Sequence, residues 1–95
     1  MAYLLGIDVG TTGSKALLVD DEGDVVASAT TEYPMETPYP MWAEQDPADW
    51  WDATVASTRA VIEQAGAASA DIIGVGLTGQ MHGLVLLDGQ DNVLR

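Results

Sequence analysis

The chain has 95 residues, with 15 Asp and Glu against three cations (Lys15, Arg59 and Arg95), one histidine, no cysteine and a formal net charge of −12. That length allows at most one domain with a modest core; the missing cysteines exclude disulfides and thiolate metal sites; and the acidity argues against nonspecific nucleic-acid binding, which needs basic patches. No stretch approaches the roughly 20 apolar residues of a membrane span, and no basic region followed by a long apolar run opens the chain, so no membrane partner is expected and the cytoplasm is the default compartment.

Taken in order, residues 2–9 predict a strand. Tyr3, Leu5, Ile7 and Val9 fall on one face, and Leu4, Gly6, Asp8 and Gly10 on the other. The second face sets one carboxylate among glycines, which in a strand often mark close approach by ligand or backbone. Thr11-Thr12-Gly13 then reads as a tight hairpin turn, in which Gly10 and Gly13 are free to take positive φ and the threonines offer hydroxyls. An acid, a ring of backbone N–H groups, hydroxyls and one cation, Lys15, at a sharp turn suit phosphate and its metal. The turn is not a Walker A loop, because the glycine-to-lysine spacing differs and a strand follows where a helix should. A plain hairpin also accommodates Gly-Thr-Thr-Gly. Residues 16–20 and 25–31, separated by Asp21-Glu22-Gly23-Asp24, continue as two further strands of an antiparallel meander.

Residues 32–45 carry Pro34, Pro38 and Pro40 among Tyr33, Met35, Tyr39, Met41 and Trp42. Prolines deny helix and central strand there. Such a loop either lines a sugar pocket with its aromatic rings or is pinned to the core by Trp42. Asp46-Pro47-Ala48-Asp49 is a helix start, with Asp46 as cap, Pro47 at the first helical position and Asp49 reaching back. The helix runs to about Ala65 and Gly66 ends it. Trp51, Val55, Thr58, Ile62 and Ala65 repeat at helical spacing, widened by Trp50, Thr54 and Val61, and predict a core face with the tryptophans as anchors.

Residues 71–77 form an apolar run with no polar alternation after Asp71, which predicts a strand buried on both faces and paired in parallel. A meander, a crossover helix and a parallel strand make a mixed-sheet α/β fold. In such sheets ligands bind beyond the carboxyl ends of the strands. Asp8 and the segment Gln80-Met81-His82 both stand at such ends. His82, the only histidine, is either structural or a hydrogen-bond partner for a hydroxyl-rich ligand. Residues 84–95 read as a last hairpin.

Three segments together resemble the start of the FGGY carbohydrate kinases, and most of all their xylulokinase branch. They are Gly6-Ile7-Asp8-Val9-Gly10-Thr11-Thr12-Gly13-Ser14-Lys15, then Trp42-Ala43-Glu44-Gln45-Asp46-Pro47 with Trp50-Trp51, then Gly79-Gln80-Met81-His82-Gly83. The resemblance covers essentially the whole chain. It implies an actin/hexokinase-like (ribonuclease H-like) ATPase domain and phosphorylation of a ketopentose, D-xylulose, by ATP with Mg²⁺. Carried over by motif position, Asp8 organises Mg²⁺ and the transferring phosphoryl group, Thr11, Thr12 and Gly13 contact the ATP phosphates, and Lys15 neutralises charge. Gln80, Met81 and His82 fall to the sugar. Family members have two domains over several hundred residues, and their catalytic base is an Asp beyond position 95. The resemblance therefore implies that residues 1–95 are the N-terminal portion of the first domain, inactive alone. The alternatives are a non-catalytic module, one half of a split kinase that binds the remainder or self-associates, and a different sugar as substrate.

Overall fold

The computed structural model describes residues 2–37, 40, 43–79 and 85–93. The alternating pattern of the first 32 residues folds as the expected meander: β1 (Tyr3–Val9), β2 (Gly13–Asp20) and β3 (Val25–Glu32), each antiparallel to the next. A helix, α1 (Pro47–Ala65), and a short 3-10 turn at Ser69–Asp71 lead to β4 (Ile72–Gly79), which joins β1 in parallel. The strand order is β3-β2-β1-β4. The two chain reversals that carry acids share one device: the Asp20 carboxylate accepts from the N–H groups of Glu22 and Asp24, and Asp88 does the same for Gln90 and Asn92. The last hairpin is represented among the described residues by the Leu87–Val93 bridge.

Both helix ends follow from the sequence. Asp46 Oδ1 accepts from the Ala48 N–H at 2.9 Å, with Pro47 in the first turn. Gly66 takes φ +64°, and the N–H groups of Gly66 and Ala67 close back onto the carbonyls of Glu63 and Ile62. The rotation of the helix differs from expectation. Its buried positions are Ala53, Ser57 and Val61, whereas Trp51 is 70% exposed and anchors nothing in the described core. Residues four apart share one face, and here that face is made of small side chains, so the helix axis can lie close to β2 and β3. The core beneath it is Leu5, Ala16, Leu18, Ala27 and Val61, with Leu18 and Val61 fully buried.

A polar seam runs through this interface. Ser57 Oγ donates to the Ser14 carbonyl at 2.9 Å, so its oxygen accepts from Thr31 Oγ1 at 2.8 Å. Beside it the Ser14 and Thr54 hydroxyls are 2.8 Å apart. Ser14 and Ser57 are both fully buried. Ser57→Ala removes both bonds, leaving the buried Ser14 carbonyl without that donor and the Thr31 hydroxyl without its acceptor, so unfolding by denaturant is expected to show a loss of about 1–3 kcal/mol.

β4 is parallel to β1 as expected, but its two-sided burial is not observed. Val75 and Leu77 lie 63% and 71% exposed, on the same side of the sheet as the buried Leu5. The reason is the reach of α1, which packs over β2 and β3 and only grazes β1. What this architecture does for function is simpler. The register pairs Asp8 with Lys15 on β2 and with Thr78 on β4, which brings three polar side chains together at one end of the sheet, on the face away from the helix.

Candidate functional site

The site grows from the end of β1. Asp8 is exposed, and its Oδ1 accepts from Thr78 Oγ1 at 2.9 Å. Lys15 stands directly across the β1–β2 pair. These residues border an open depression of about 450 Å³ whose floor includes Gly6, Leu17 and Gly76. The glycines there are not demanded by packing. A Cβ on Gly6 would make ordinary contact with Leu17 at 3.9–4.0 Å, and one on Gly76 would meet nothing within 4 Å. An adjoining apolar depression, bordered by Leu4, Val19 and Val75, shares Gly6, Leu17 and Gly76 with it.

Beyond Asp8 the chain turns through Gly10–Gly13, closed by Gly10 N–H to Gly13 O at 3.0 Å. Here the expectation of positive φ is corrected: among the described residues the glycines with φ above zero are Gly23 and Gly66. Gly10 and Gly13 serve close approach instead. A Cβ on Gly13 would fall 2.7 Å from the Thr31 carbonyl oxygen, and one on Gly10 would fall 3.2 Å from the Gly13 oxygen. The signal was invisible along the chain because the obstructing atom belongs to a strand eighteen residues away.

Three successive carbonyls of the turn are held from the protein side. The Tyr33 hydroxyl donates to Gly10 O, Gln45 Nε2 donates to Thr11 O at 2.6 Å, and the Tyr33 N–H donates to Thr12 O at 3.2 Å. In a trans peptide the N–H points opposite to the C=O, and the chain has no cis bonds among the described residues. Holding these carbonyls inwards therefore aims the N–H groups of Thr11, Thr12 and Gly13 outwards. Among the described residues none accepts from the N–H of Thr11 or Thr12. Successive N–H groups facing one side make an anion-binding concavity.

Tyr33, Gln45 and Thr78 were not singled out by the sequence reading. Tyr33 and Gln45 act through the backbone of a distant turn, and Thr78 meets Asp8 only across the β1–β4 pair. Burial, and secondarily the Asp8 carboxylate, push the Tyr33 phenol above its ordinary value of 10.0, so at neutral pH it stays protonated and donates. A phenol whose folded pKa is raised contributes stability that is complete below its unfolded value and is lost as pH rises through the folded value. Unfolding free energy is thus expected to fall above about pH 10, and Tyr33→Phe is expected to remove that part of the fall in a denaturant titration against pH.

Of the residues expected to meet the sugar, Gln80, Met81 and His82 lie outside the described residues, as does Trp42. The structure brings Asp8, Thr11, Thr12, Gly13 and Lys15 to one end of the sheet, and β4 runs parallel to β1 as far as Gly79, opposite Val9.

A family model, the FGGY family of carbohydrate kinases, N-terminal domain, matches residues 3–95. The chain belongs to the FGGY family of carbohydrate kinases. The xylulose kinase of Escherichia coli K12 is 44% identical over 91 residues, which is 96% of this chain and 18% of that protein. A glycerol kinase of Ralstonia pickettii is also 44% identical, over 80 residues, covering 84% of this chain and 16% of its own length. Among solved structures, a xyloylose kinase from Brucella ovis superposes with a TM-score of 0.90 at 45% identity, covering 96% of this chain and 19% of that one. The chain thus spans about a fifth of the length of these FGGY relatives. Its fold is the opening of their actin-like ATPase domain, with the mixed sheet and single helix described above. Among the described residues no helix is long and apolar enough to cross a membrane.

Proposed function

We propose that this chain is the N-terminal portion of a cytoplasmic FGGY kinase that transfers the γ-phosphoryl group of ATP to D-xylulose, forming D-xylulose 5-phosphate. The observation that carries the reading is the parallel β1–β4 register, Asp8 opposite Thr78. It brings the last described residue of β4, Gly79, level with Val9, where the chain enters the turn. In this reading the outward N–H groups of Thr11, Thr12 and Gly13 hold phosphate oxygens, and Lys15 offsets their charge. Gln80, Met81 and His82 contact the sugar. The general base lies on chain outside these 95 residues.

Mg²⁺ fits the donor set at Asp8. Among the described residues no group of three or more His, Cys, Asp or Glu could cage a metal. A lone exposed carboxylate is what magnesium uses when substrate phosphates and waters complete its octahedron. Bound there, the ion would neutralise phosphate charge and orient the transferring group; Asp8 would hold it and Thr78 would hold Asp8.

The choice of sugar rests on the Gly-Gln-Met-His-Gly segment and on the xylulose kinases among the relatives. A glycerol kinase is equally identical over a shorter span, so the test is a substrate panel. Sugar-dependent ADP release by the full-length protein should be highest with D-xylulose and at least about tenfold lower in kcat/KM with glycerol or gluconate, since a missing hydroxyl partner costs about that much. A preference for glycerol would overturn the ketopentose assignment. A second reading, one half of a split kinase docking its remainder, is supported by the exposed Val75 and Leu77 on β4.

A further inference from the structure

We infer that Gln45 is a positioning residue for the phosphate turn and that Trp50, on the first turn of α1, acts on that turn only through Gln45. The Trp50 indole N–H donates to Gln45 Oε1 at 3.1 Å, and the Gln45 amide donates in turn to the Thr11 carbonyl at 2.6 Å. One amide thus links the helix to the turn, with its acceptor end fixed by an indole that can only donate. This also assigns the amide orientation: exchanging the Gln45 oxygen and nitrogen would set donor against donor at Trp50 and acceptor against acceptor at Thr11.

The segment that delivers Gln45 is itself braced. Glu36 and Glu44 exchange two backbone bonds at 2.7 Å, and the capping Asp46 follows Gln45 directly. Gln45 therefore approaches the turn from a bridge on one side and a helix N-terminus on the other. Of the three inward-held carbonyls, Tyr33 holds those of Gly10 and Thr12 and Gln45 holds the one between. Releasing Thr11 O lets the Thr11–Thr12 peptide rotate, and the N–H of Thr12 then loses its aim. The catalytic significance of that aim rests on the kinase reading proposed above; the linkage itself does not.

The test uses the full-length protein and three variants: Gln45→Met, Trp50→Phe and the pair. Gln45→Met keeps the side chain's length and removes both polar ends. Its kcat/KM for Mg·ATP is expected to fall about ten- to hundredfold, the cost of a misplaced reacting group. KM for the sugar should stay within about twofold, because the interaction removed belongs to the phosphate side. Trp50→Phe keeps an aromatic ring and should cost less. The pair should match Gln45→Met alone within about twofold, since a residue that acts only through another is non-additive with it. Backbone ¹⁵N order parameters provide a readout independent of catalysis. At Thr11 and Thr12 they should fall from rigid values near 0.85 towards 0.6 in Gln45→Met, with those of α1 unchanged. Additive losses in the pair would overturn the route from Trp50. Unchanged order parameters at Thr11 and Thr12 would overturn the positioning role. A wild-type protein with no sugar-dependent turnover would instead overturn the kinase reading, while the order parameters would still decide the linkage.

Discussion

Asp8→Asn is expected to lower kcat of the proposed full-length kinase by at least about 10²-fold, the scale of removing one electrostatic contact from a phosphoryl-transfer site. The substitution is nearly isosteric and retains an oxygen that accepts from Thr78 Oγ1, the bond that orients the carboxylate. What it removes is the negative charge, and with it the hard anionic ligand proposed for magnesium. Because Asp8 is exposed, stability should change by less than about 0.5 kcal/mol. Thr78→Val separates charge from orientation: the carboxylate remains but is unheld, and a smaller loss in kcat is expected. Steady-state kinetics with D-xylulose and Mg·ATP, paired with denaturant unfolding, measure both. Full activity in Asp8→Asn would remove the carboxylate from the proposed chemistry.

The second large effect is on the turn itself. Gly13→Ala should destabilise the protein by about 1–3 kcal/mol, the usual cost of forcing a methyl into filled space. The methyl would fall 2.7 Å from the Thr31 carbonyl oxygen and 3.1 Å from the Glu32 Cα. Both are backbone atoms of β3, so no side-chain rotation relieves the clash. The start of β2 must move away from β3, and the turn moves with it, so affinity for Mg·ATP is expected to fall as well. Gly76→Ala is the matched control. Its methyl meets nothing within 4 Å, and its stability should stay within about 0.5 kcal/mol of wild type.

These two glycines show where reading the chain succeeds and where it stops. The meander was legible because Tyr3, Leu5, Ile7 and Val9 alternate cleanly. Both helix ends were legible because Asp46, Pro47 and Gly66 act through bonds to residues a few places away. The fold class and the family followed from those local patterns and from the three motifs. The purpose of Gly13 was not legible. Glycine at a turn suggests positive φ, but the constraint here is steric and comes from across the sheet. The rotation of α1 was misread for a related reason. Tryptophans dominate any tally of hydrophobicity, yet the buried face is Ala53, Ser57 and Val61, whose small size permits close approach and whose serine bonds to β2 and β3. The exposure of Val75 and Leu77 was likewise beyond a run of apolar letters, because burial depends on which element lies across a strand.

The same limit applies to the site. The phosphate chemistry proposed for Asp8, Thr11, Thr12, Gly13 and Lys15 was suggested by acid, hydroxyls, glycine and cation close together in sequence, and the structure brings these residues to one end of the sheet. The residues that aim the turn, Tyr33 and Gln45, lie 21 to 34 positions from the carbonyls they bind. Their contribution is to hold peptide planes, and no composition signal marks it.

In the proposed function these 95 residues carry the phosphate turn and part of the sugar contacts of a kinase whose base lies elsewhere. The most direct measurement is D-xylulose-dependent ADP release, compared between the purified 95-residue chain and the full-length protein. Turnover confined to the full-length protein is the predicted result; robust turnover by the 95-residue chain alone would contradict it.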